Sequence, residues 1–364
     1  MATSTEHIVT PVRPSVDTLS SYLAKTTEPI FTKEVLLGGL KAHGRIMYDQ
    51  EGVDLNWAAR YRRREVQASA GYNQGIDSPQ TTTRRRASVP WRRFRMSESY
   101  GKFEKLANRG KARLFDVIGN LSAECVEDFL VSYAKRFFDD GNTTGSESLH
   151  GFESMFSYSA LINAAAKCGA PNDVYGNLYT TLGYYGGDWT ADTSDYWPTG
   201  SGSVEYGFWS PLIIDTTNTN WVATTKTFPN TWQEALSFAI IFMETNQDTR
   251  FDMCLMNPTI LGQAKQSLIG TQRFELTQSS ELTKMGFRTL SYEGIEVMSQ
   301  GGVPAGTTYL FRWDNLSLHS MFKQLIDVEE DKDPNDSTTL YYFDNFSNLR
   351  FDSPAFFAKL VNIS

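Results

Sequence analysis

The clearest periodic pattern of apolar residues lies between residues 103 and 138. Apolar side chains recur there every three or four positions, at Leu114, Ile118, Leu121, Cys125, Phe129, Tyr133 and Phe137. This spacing places them on one face of an α-helix. The pattern therefore predicts a long helix from about Phe103 to Phe138, roughly 50 Å in length at about 1.5 Å per residue.

Three shorter helices are predicted from their start and stop signals. The first covers residues 32–44 and ends at a glycine. The second begins at Thr231, because Glu234 three residues later completes a capping box. The third covers residues 257–270, with Pro258 at its first helical position and a glycine at its end.

Strand-like patterns fill much of the remaining chain. The predicted strands are Leu55–Tyr61, Glu65–Ala70, Arg85–Arg95, Phe251–Met256, Gly294–Ser299, Thr307–Arg312, Leu316–Met321, Leu340–Phe343 and Asn348–Phe351. Asp314 and Asn315 predict a turn, and the acidic segment 327–336 predicts a loop. The first 33 residues are rich in Ser and Thr and contain Pro11, Pro14 and Pro29, which predicts an extended arm.

The segment 45–96 predicts a long two-stranded projection around a turn-rich middle, residues 71–79. It contains few aliphatic residues, and an isolated hairpin is only marginally stable in water. We therefore expect something outside this segment to hold it.

Charge is separated along the chain. The formal net charge is −8, but the window from Arg60 to Arg95 contains ten arginines and only Glu65 and Asp77 as acids, giving +8. The rest of the chain has 24 basic and 40 acidic side chains, giving −16. The chain thus combines one basic segment with an acidic remainder.

The basic segment is all arginine, with no lysine between Lys41 and Lys102. Arginine binds carboxylates in a bidentate manner, which favours a protein interface, although arginines interleaved with aromatic residues also suit nucleic-acid backbones. The candidate contacts between subunits on the basic side are Arg62, Arg63, Arg64, Arg84, Arg85, Arg86, Trp91, Arg92 and Arg93. Those on the acidic side are Asp327, Glu329, Glu330, Asp331 and Asp333.

Signals for catalysis and cofactor binding are missing from the sequence. It contains no GxGxxG, GxxxxGK[ST], GxSxG or HExxH motif, and no CxxC pair. Its three cysteines, Cys125, Cys168 and Cys254, are predicted to be buried apolar side chains, and its four histidines to be structural or solvated. The sequence therefore predicts neither an enzyme nor a cofactor or metal site.

The most site-like stretch alternates aromatic residues with carboxylates, as sugar-processing sites do. Its members are Tyr184, Tyr185, Asp188, Trp189, Asp195, Trp197, Glu205 and Trp209. A polar loop surface is the alternative interpretation. No apolar run approaches the length of a bilayer crossing, and the N-terminus has no secretory pattern, so we expect cytoplasmic synthesis and no membrane partner.

The order of these segments resembles the major capsid proteins of tailed bacteriophages with the Hong Kong 97-type fold. Three passages carry the resemblance: Leu149–Phe156, which is similar to the family's entry to its axial domain; Phe251–Pro258, similar to a strand-then-helix step; and Gly286–Met298 followed by Val303–Phe311, similar to its hairpin and Pro-x-Gly passage.

The resemblance implies an α+β fold with a defined order of domains. The implied divisions are an N-terminal arm (1–33), a short helix (34–44), an extended two-stranded loop (45–100), a peripheral domain with its spine helix (101–148), an axial domain (149–321), and C-terminal strands that return to the peripheral domain (322–364).

The implied function is self-assembly into pentamers and hexamers of an icosahedral head that encloses double-stranded DNA. Implied partners are a separate scaffolding protein, a portal and a decoration protein, with assembly in the bacterial host cytoplasm and a final location in the virion. Two alternatives stay open at this point: an encapsulin-like compartment, and a carbohydrate-binding or glycoside-cleaving protein.

Overall fold

The computed structural model describes residues 34–60, 83–101, 124–143, 147–161, 167–180, 209–268, 290–332 and 338–361. Their helices are α1 (Val35–Ala42), α2 (124–135), α3 (Phe228–Gln247) and α4 (Pro258–Leu268). Their strands are β1 (Ile46–Met47), β2 (Asp54–Arg60), β3 (Arg84–Pro90), β4 (Arg92–Tyr100), β5 (Tyr158–Leu161), β6 (Gly169–Pro171), β7 (Val174–Tyr175), β8 (Leu178–Tyr179), β9 (Leu212–Asp215), β10 (Met253–Met256), β11 (Leu290–Tyr292), β12 (Ile295–Ser299), β13 (Thr308–Phe311), β14 (Leu316–Ser320), β15 (Asp327–Lys332), β16 (Thr339–Phe351) and β17 (Ala358–Val361).

A five-stranded sheet is built around β16, which is 13 residues long. One edge of β16 pairs with β4, from Thr339 opposite Tyr100 to Ser347 opposite Arg92. The other edge pairs first with β15 and then with β14, both antiparallel. The short strand β1 adds in parallel to β14. This sheet therefore joins four segments that are distant in sequence.

A six-stranded sheet has the order β11-β12-β10-β13-β17-β9 and separates two apolar cores. Because side chains alternate along a strand, its two faces contact different partners. On β10, Met253 and Leu255 belong to the core shared with α2 and the five-stranded sheet, hereafter the first core. Cys254 and Met256 belong to the core that α3 and α4 cover. The sheet thus connects both halves of the fold.

The long periodic helix is confirmed in its described part. Helix α2 is followed by a 3-10 turn, Arg136–Phe138, and the predicted inward positions Cys125, Phe129, Tyr133 and Phe137 are all buried. The predicted beginning, residues 103–123, lies outside the described residues. Helices α1 and α4 also lie where their start and stop signals predict them.

The predicted start of α3 is wrong, because the capping box at Thr231 does not form. Thr227 is the N-cap residue, and Pro229 lies in the first turn, where the fixed φ of proline suits a helix start. The Thr231 hydroxyl instead donates to the carbonyl of Thr216, which precedes the helix, at 2.6 Å. The Glu234 carboxylate accepts the backbone N–H of Val222 at 2.9 and 3.0 Å. Tertiary contacts therefore replace the local motif.

The acidic segment predicted as a loop forms strand β15 in its described part. Its strand character comes from Val328, which is buried among the acidic residues and packs into the first core. The two strands predicted at 340–343 and 348–351 are one continuous strand. Between them, Asp344 and Asn345 are buried and hydrogen-bonded, so polar residues do not interrupt the pairing.

Three further strands differ from expectation. The strand predicted at Arg85–Arg95 is two strands, β3 and β4, which separate after Pro90. Strand β14 falls in the range expected for the axial domain, but it pairs in the five-stranded sheet. Strand β17 falls in the range expected to rejoin the peripheral domain, but it pairs with β13 and β9 in the six-stranded sheet. Pairing with strands that are distant in sequence therefore decides which sheet β14 and β17 join.

Candidate subunit interface

Strands β2 and β3 form an antiparallel ladder, hereafter the projection. One side of it is apolar, and its buried side chains are Leu55, Trp57, Ala59, Ala87 and Val89. Most of these side chains belong to the first core, together with α2 and β16. The support that we expected the projection to need is therefore supplied, at this end, by the core of the same chain.

Two contacts fix the direction in which the projection leaves the core. The Trp57 indole N–H donates to the carbonyl of Asp352 at 3.1 Å. The backbone N–H of Ser88 donates to the carbonyl of Gly176 at 3.0 Å. Gly176 and Asn177 form the two-residue turn between β7 and β8, with φ of 60° and 62°, as a type I′ turn requires. This hairpin therefore holds β3 in place.

The arginine cluster of β3 lies at the end of the projection away from Pro90. Arg84, Arg85 and Arg86 are all exposed. Arg84 lies directly opposite Arg60 of β2. The three arginines of the cluster thus give this end of the two-stranded ladder a positively charged surface.

A second arginine cluster lies on the outer face of the five-stranded sheet, around the buried Asp344. The Arg93 guanidinium donates to both Asp344 oxygens at 3.3 and 2.8 Å, and Arg95 does so at 2.7 and 2.5 Å. Only 4% of the Asp344 side chain is exposed. Burial raises the pKa of Asp344, but the hydrogen bonds and charges of both arginines outweigh burial and hold that pKa below its usual value.

The aromatic residues next to Asp344 contact the same arginines. The Arg95 guanidinium lies 4.3 Å from the centre of the Tyr342 ring, and that of Arg93 lies 5.2 Å from the centre of Phe346. Such cation–π contacts stabilise each arginine further. Arg93 and Arg95 are therefore held by their own chain.

The predicted acidic residues lie on β15, beside this cluster. Asp327 is opposite Asp344 in the ladder, and Glu329 is opposite Tyr342. The Glu329 carboxylate lies 3.7 Å from the Arg95 guanidinium. Glu330 and Asp331 are exposed near the end of the strand. The carboxylates thus form an acidic border along one edge of the sheet.

Four of the remaining predicted contact residues lie outside the described part of the chain, and two others donate to carbonyl groups of their own chain. Arg62, Arg63, Arg64 and Asp333 lie outside the described residues. The Trp91 indole N–H donates to the carbonyl of Gly52 at 3.1 Å, and Arg92 donates to the carbonyl of Gly141 at 3.4 Å. The structure therefore brings Arg93 into the sheet that contains the acidic strand, and it places Arg84, Arg85 and Arg86 in the separate β2–β3 ladder.

Sequence reasoning missed Asp344 and the role of Arg95. The signal was available, because Asp344 is a single carboxylate within the aromatic strand 341–346. A carboxylate in such a strand is rarely buried without a cationic partner. Arg95 alternates with Arg93 along β4, so both point to the same face.

The aromatic and acidic stretch proposed as a sugar site receives no support from its described member. Trp209 is fully buried, its indole N–H donates to the carbonyl of Leu178 at 3.4 Å, and its ring stacks on Tyr175. It is therefore a core residue and not an exposed platform for a sugar. The other members of the stretch lie outside the described residues.

The reactive side chains of the described residues are mostly part of the cores. All three cysteines are buried and free, as predicted, and burial raises the pKa of Cys125 to about 11. His43 is exposed and stacks on Trp313, whereas His150 and His319 are buried. Within the described ranges, no group of three or more His, Cys, Asp or Glu side chains could hold a metal ion. No helix in the part that the structure describes is long and apolar enough to cross a membrane.

Comparison with solved structures identifies the architecture. A chain of the cyanophage A-1(L) capsid asymmetric unit superposes with a TM-score of 0.62 at 15% identity, covering 91% of this chain and 93% of that one. The chain has the Hong Kong 97-type capsid fold. A chain from the capsid of a native GTA particle superposes with a TM-score of 0.53 at 9% identity, covering 90% of this chain and 91% of that one.

The likeness is visible in structure and not in sequence. No family model matches the chain, and no curated protein matches it. The backbone arrangement is thus shared over about nine-tenths of the chain at 15% and 9% identity.

Proposed function

We propose that the chain is a major capsid protein that assembles into pentamers and hexamers of an icosahedral phage head around double-stranded DNA. The supporting observation is the fold shared with the cyanophage A-1(L) capsid chain across 91% of this chain. In the virion, each subunit would contact several copies of itself, because a closed shell requires more than one kind of interface. Assembly in the host cytoplasm, a scaffolding protein, a portal and a decoration protein are parts of the same proposal.

In this proposal each predicted range keeps its structural role, with the changes in sheet membership described above. Residues 1–33 serve as an arm. Residues 45–100 serve as the extended loop that reaches a neighbouring subunit, apart from β1 and β4, which pair in the five-stranded sheet. The spine helix and the five-stranded sheet form the peripheral part. The six-stranded sheet with α3 and α4 forms the axial part.

Charge directs the contact between neighbours in this proposal. The arginines at the end of the projection, Arg84, Arg85 and Arg86, dock onto the acidic border of an adjacent subunit, which includes Asp327, Glu329, Glu330 and Asp331. A single exposed ion pair contributes only about 0–1 kcal/mol, so the cluster acts as a whole and is repeated at each subunit contact.

Charge reversal of the three β3 arginines tests the docking. Arg84→Glu, Arg85→Glu and Arg86→Glu together should stop particle formation and leave the subunit folded, because these side chains are exposed and outside both cores. Particles are counted by electron microscopy, and folding is checked by circular dichroism.

The matched control replaces the same three arginines with lysine. This variant keeps the charge and loses the planar, bidentate guanidinium, so it should assemble but fall apart at a lower salt concentration than the wild type. If the glutamate variant forms normal empty shells and fails only to package DNA, the arginines bind nucleic acid and the docking proposal is wrong.

The alternatives make different predictions in the same preparations. An encapsulin-like compartment would form shells around a protein cargo, without DNA. A carbohydrate-binding protein would elute as a small species from a sizing column. Shells that contain DNA support the capsid proposal over both.

A further inference from the structure

The exposed side of helix α2 has acidic residues at one end and basic residues at the other. Its exposed positions include Glu124, Asp128, Ser132, Lys135 and Arg136. Positions three or four apart lie on one face of an α-helix, so these side chains form a single row, hereafter the stripe. Ser132, which is small and uncharged, separates the acidic half of the stripe from the basic half.

The acidic half of the stripe is reinforced by β4. The Cys125 sulfur lies 4.0 Å from the Glu98 carboxylate of that strand. Burial and then the charges of Glu98, Asp128 and Glu124 raise the pKa of Cys125 to about 11. Three carboxylates therefore act on one point at this end of the helix.

The basic half of the stripe is held rigidly and stays accessible. The Arg136 guanidinium donates to Asp139 at 3.1 Å, within the next turn, yet 51% of its side chain is exposed. Behind Lys135, the chain packs closely, because a Cβ added to Gly302 would lie 3.0 Å from the Lys135 Cα. Both cations are therefore presented to solvent from a backbone that is fixed against its own subunit.

An apolar groove runs along the β4 side of the stripe. It has a volume of about 370 Å³, and its apolar lining consists of Phe94, Met96, Phe129 and Tyr133. Its polar lining includes three members of the stripe, namely Asp128, Ser132 and Arg136. This surface therefore combines uncovered apolar groups with a patterned charge, as interfaces between proteins do.

The order of charges along the stripe is complementary to itself. Ser132 lies four positions after Asp128 and four positions before Arg136, which is about 6 Å along the helix in each direction. A twofold axis at Ser132 would set two such helices antiparallel and place Asp128 of each copy opposite Arg136 of the other. An interface about a twofold axis requires this kind of self-complementary surface. The acidic border and the β3 arginines each have one sign of charge, so neither can pair with itself.

From this pattern we propose that the stripe of α2 is the surface through which two copies of the chain pair, antiparallel, about a twofold axis at Ser132. The inference rests on the proposed function, because it names one contact between subunits of the shell. The stripe spans only about three to four turns of helix, so a single contact is weak and acts through its repetition in the assembly.

Two variants with reversed charge test the pairing. Glu124→Lys with Asp128→Lys makes the stripe wholly basic, and Lys135→Glu with Arg136→Glu makes it wholly acidic. Each variant alone sets like charges against each other, so it should give at least about tenfold fewer particles than the wild type by electron microscopy. An equal mixture of the two variants should restore the particle number, because a basic stripe then meets an acidic one.

A chain with all four changes has the charge order inverted and is again complementary to itself, so it should also assemble. The matched control, Asp128→Asn with Arg136→Gln, removes the attraction without adding repulsion, so its loss should be smaller and mixing should not correct it. Circular dichroism confirms that each variant is folded. The pairing is refuted if the reversed variants assemble as the wild type does, or if neither the mixture nor the inverted chain restores assembly.

Disulfide formation tests the same pairing without requiring particles. Ser132→Cys should give disulfide-linked dimers on oxidation, because the axis brings this residue next to its own copy, and the native cysteines are buried. Asp128→Cys alone should stay monomeric, whereas its mixture with Arg136→Cys should give dimers. Gln263→Cys, exposed on α4, is the control that should not dimerise.

The two readouts separate this inference from the proposed function. A wild type that forms no particles contradicts the proposed function, while dimers of Ser132→Cys would still support the pairing. Particles that form without dimers of Ser132→Cys, in assembled and unassembled preparations alike, would overturn the pairing and leave the proposed function standing.

Discussion

Replacing Asp344 with asparagine should destabilise the five-stranded sheet without changing its shape. Asp344 accepts four hydrogen bonds from Arg93 and Arg95, and its side chain is 4% exposed. Breaking a buried ion pair by removing one partner costs about 3–5 kcal/mol. The two arginine side chains are 45% and 37% exposed, so water solvates part of the freed charge. We therefore expect a loss of about 2 kcal/mol in the free energy of unfolding.

Urea unfolding of the unassembled subunit, followed by circular dichroism and tryptophan fluorescence, measures this loss. The folded-state pKa of Asp344 lies below the ordinary value of 3.8, so its contribution is complete above that pH and is lost as the pH falls through the lower folded value. The difference between wild type and Asp344→Asn should accordingly shrink below about pH 4. The control Asp327→Asn, opposite Asp344 on β15, should change stability by less than about 0.5 kcal/mol. Equal stability of Asp344→Asn and wild type at neutral pH would refute the assigned role.

Gly39→Ala should destabilise the subunit by about 3 kcal/mol or more, since its Cβ would overlap the Trp313 ring. Gly262→Ala, with open space around its Cβ, should be neutral or stabilising by up to about 1 kcal/mol, and thermal unfolding compares the two variants. Equal effects of both changes would contradict the packing of α1 on Trp313. Boiled particles should run on a denaturing gel as single chains near 41.0 kDa, because residues 42–101 contain no lysine that could join a neighbour through an isopeptide bond. Ladders that survive reducing agent would contradict this expectation.

The elements with strong local signals could be predicted from the sequence. Helix α2 followed from the spacing of Cys125, Phe129 and Tyr133, because a periodic apolar stripe needs a core on one side only. Helix α4 followed from Pro258 at its start. These signals act between near neighbours, so they do not depend on the rest of the fold.

The elements that depend on distant partners were harder to predict. Strand β15 has a loop-like composition and becomes a strand because β16 pairs with it and Val328 enters the core. The start of α3 differs from the prediction because the Glu234 carboxylate accepts the backbone N–H of Val222, 12 positions earlier, and does not cap the helix at Thr231. The Asp344 cluster needs the pairing of β4 with β16, which brings together residues about 250 positions apart, such as Arg95 and Asp344 with a separation of 249.

Negative-stain electron microscopy of the purified chain, alone and with a scaffolding partner, tests the central claim most directly. The account predicts closed particles tens of nanometres across, built from pentamers and hexamers, which elute in the void volume of a sizing column. A chain that stays monomeric under all these conditions, with the projection rigid, would contradict it.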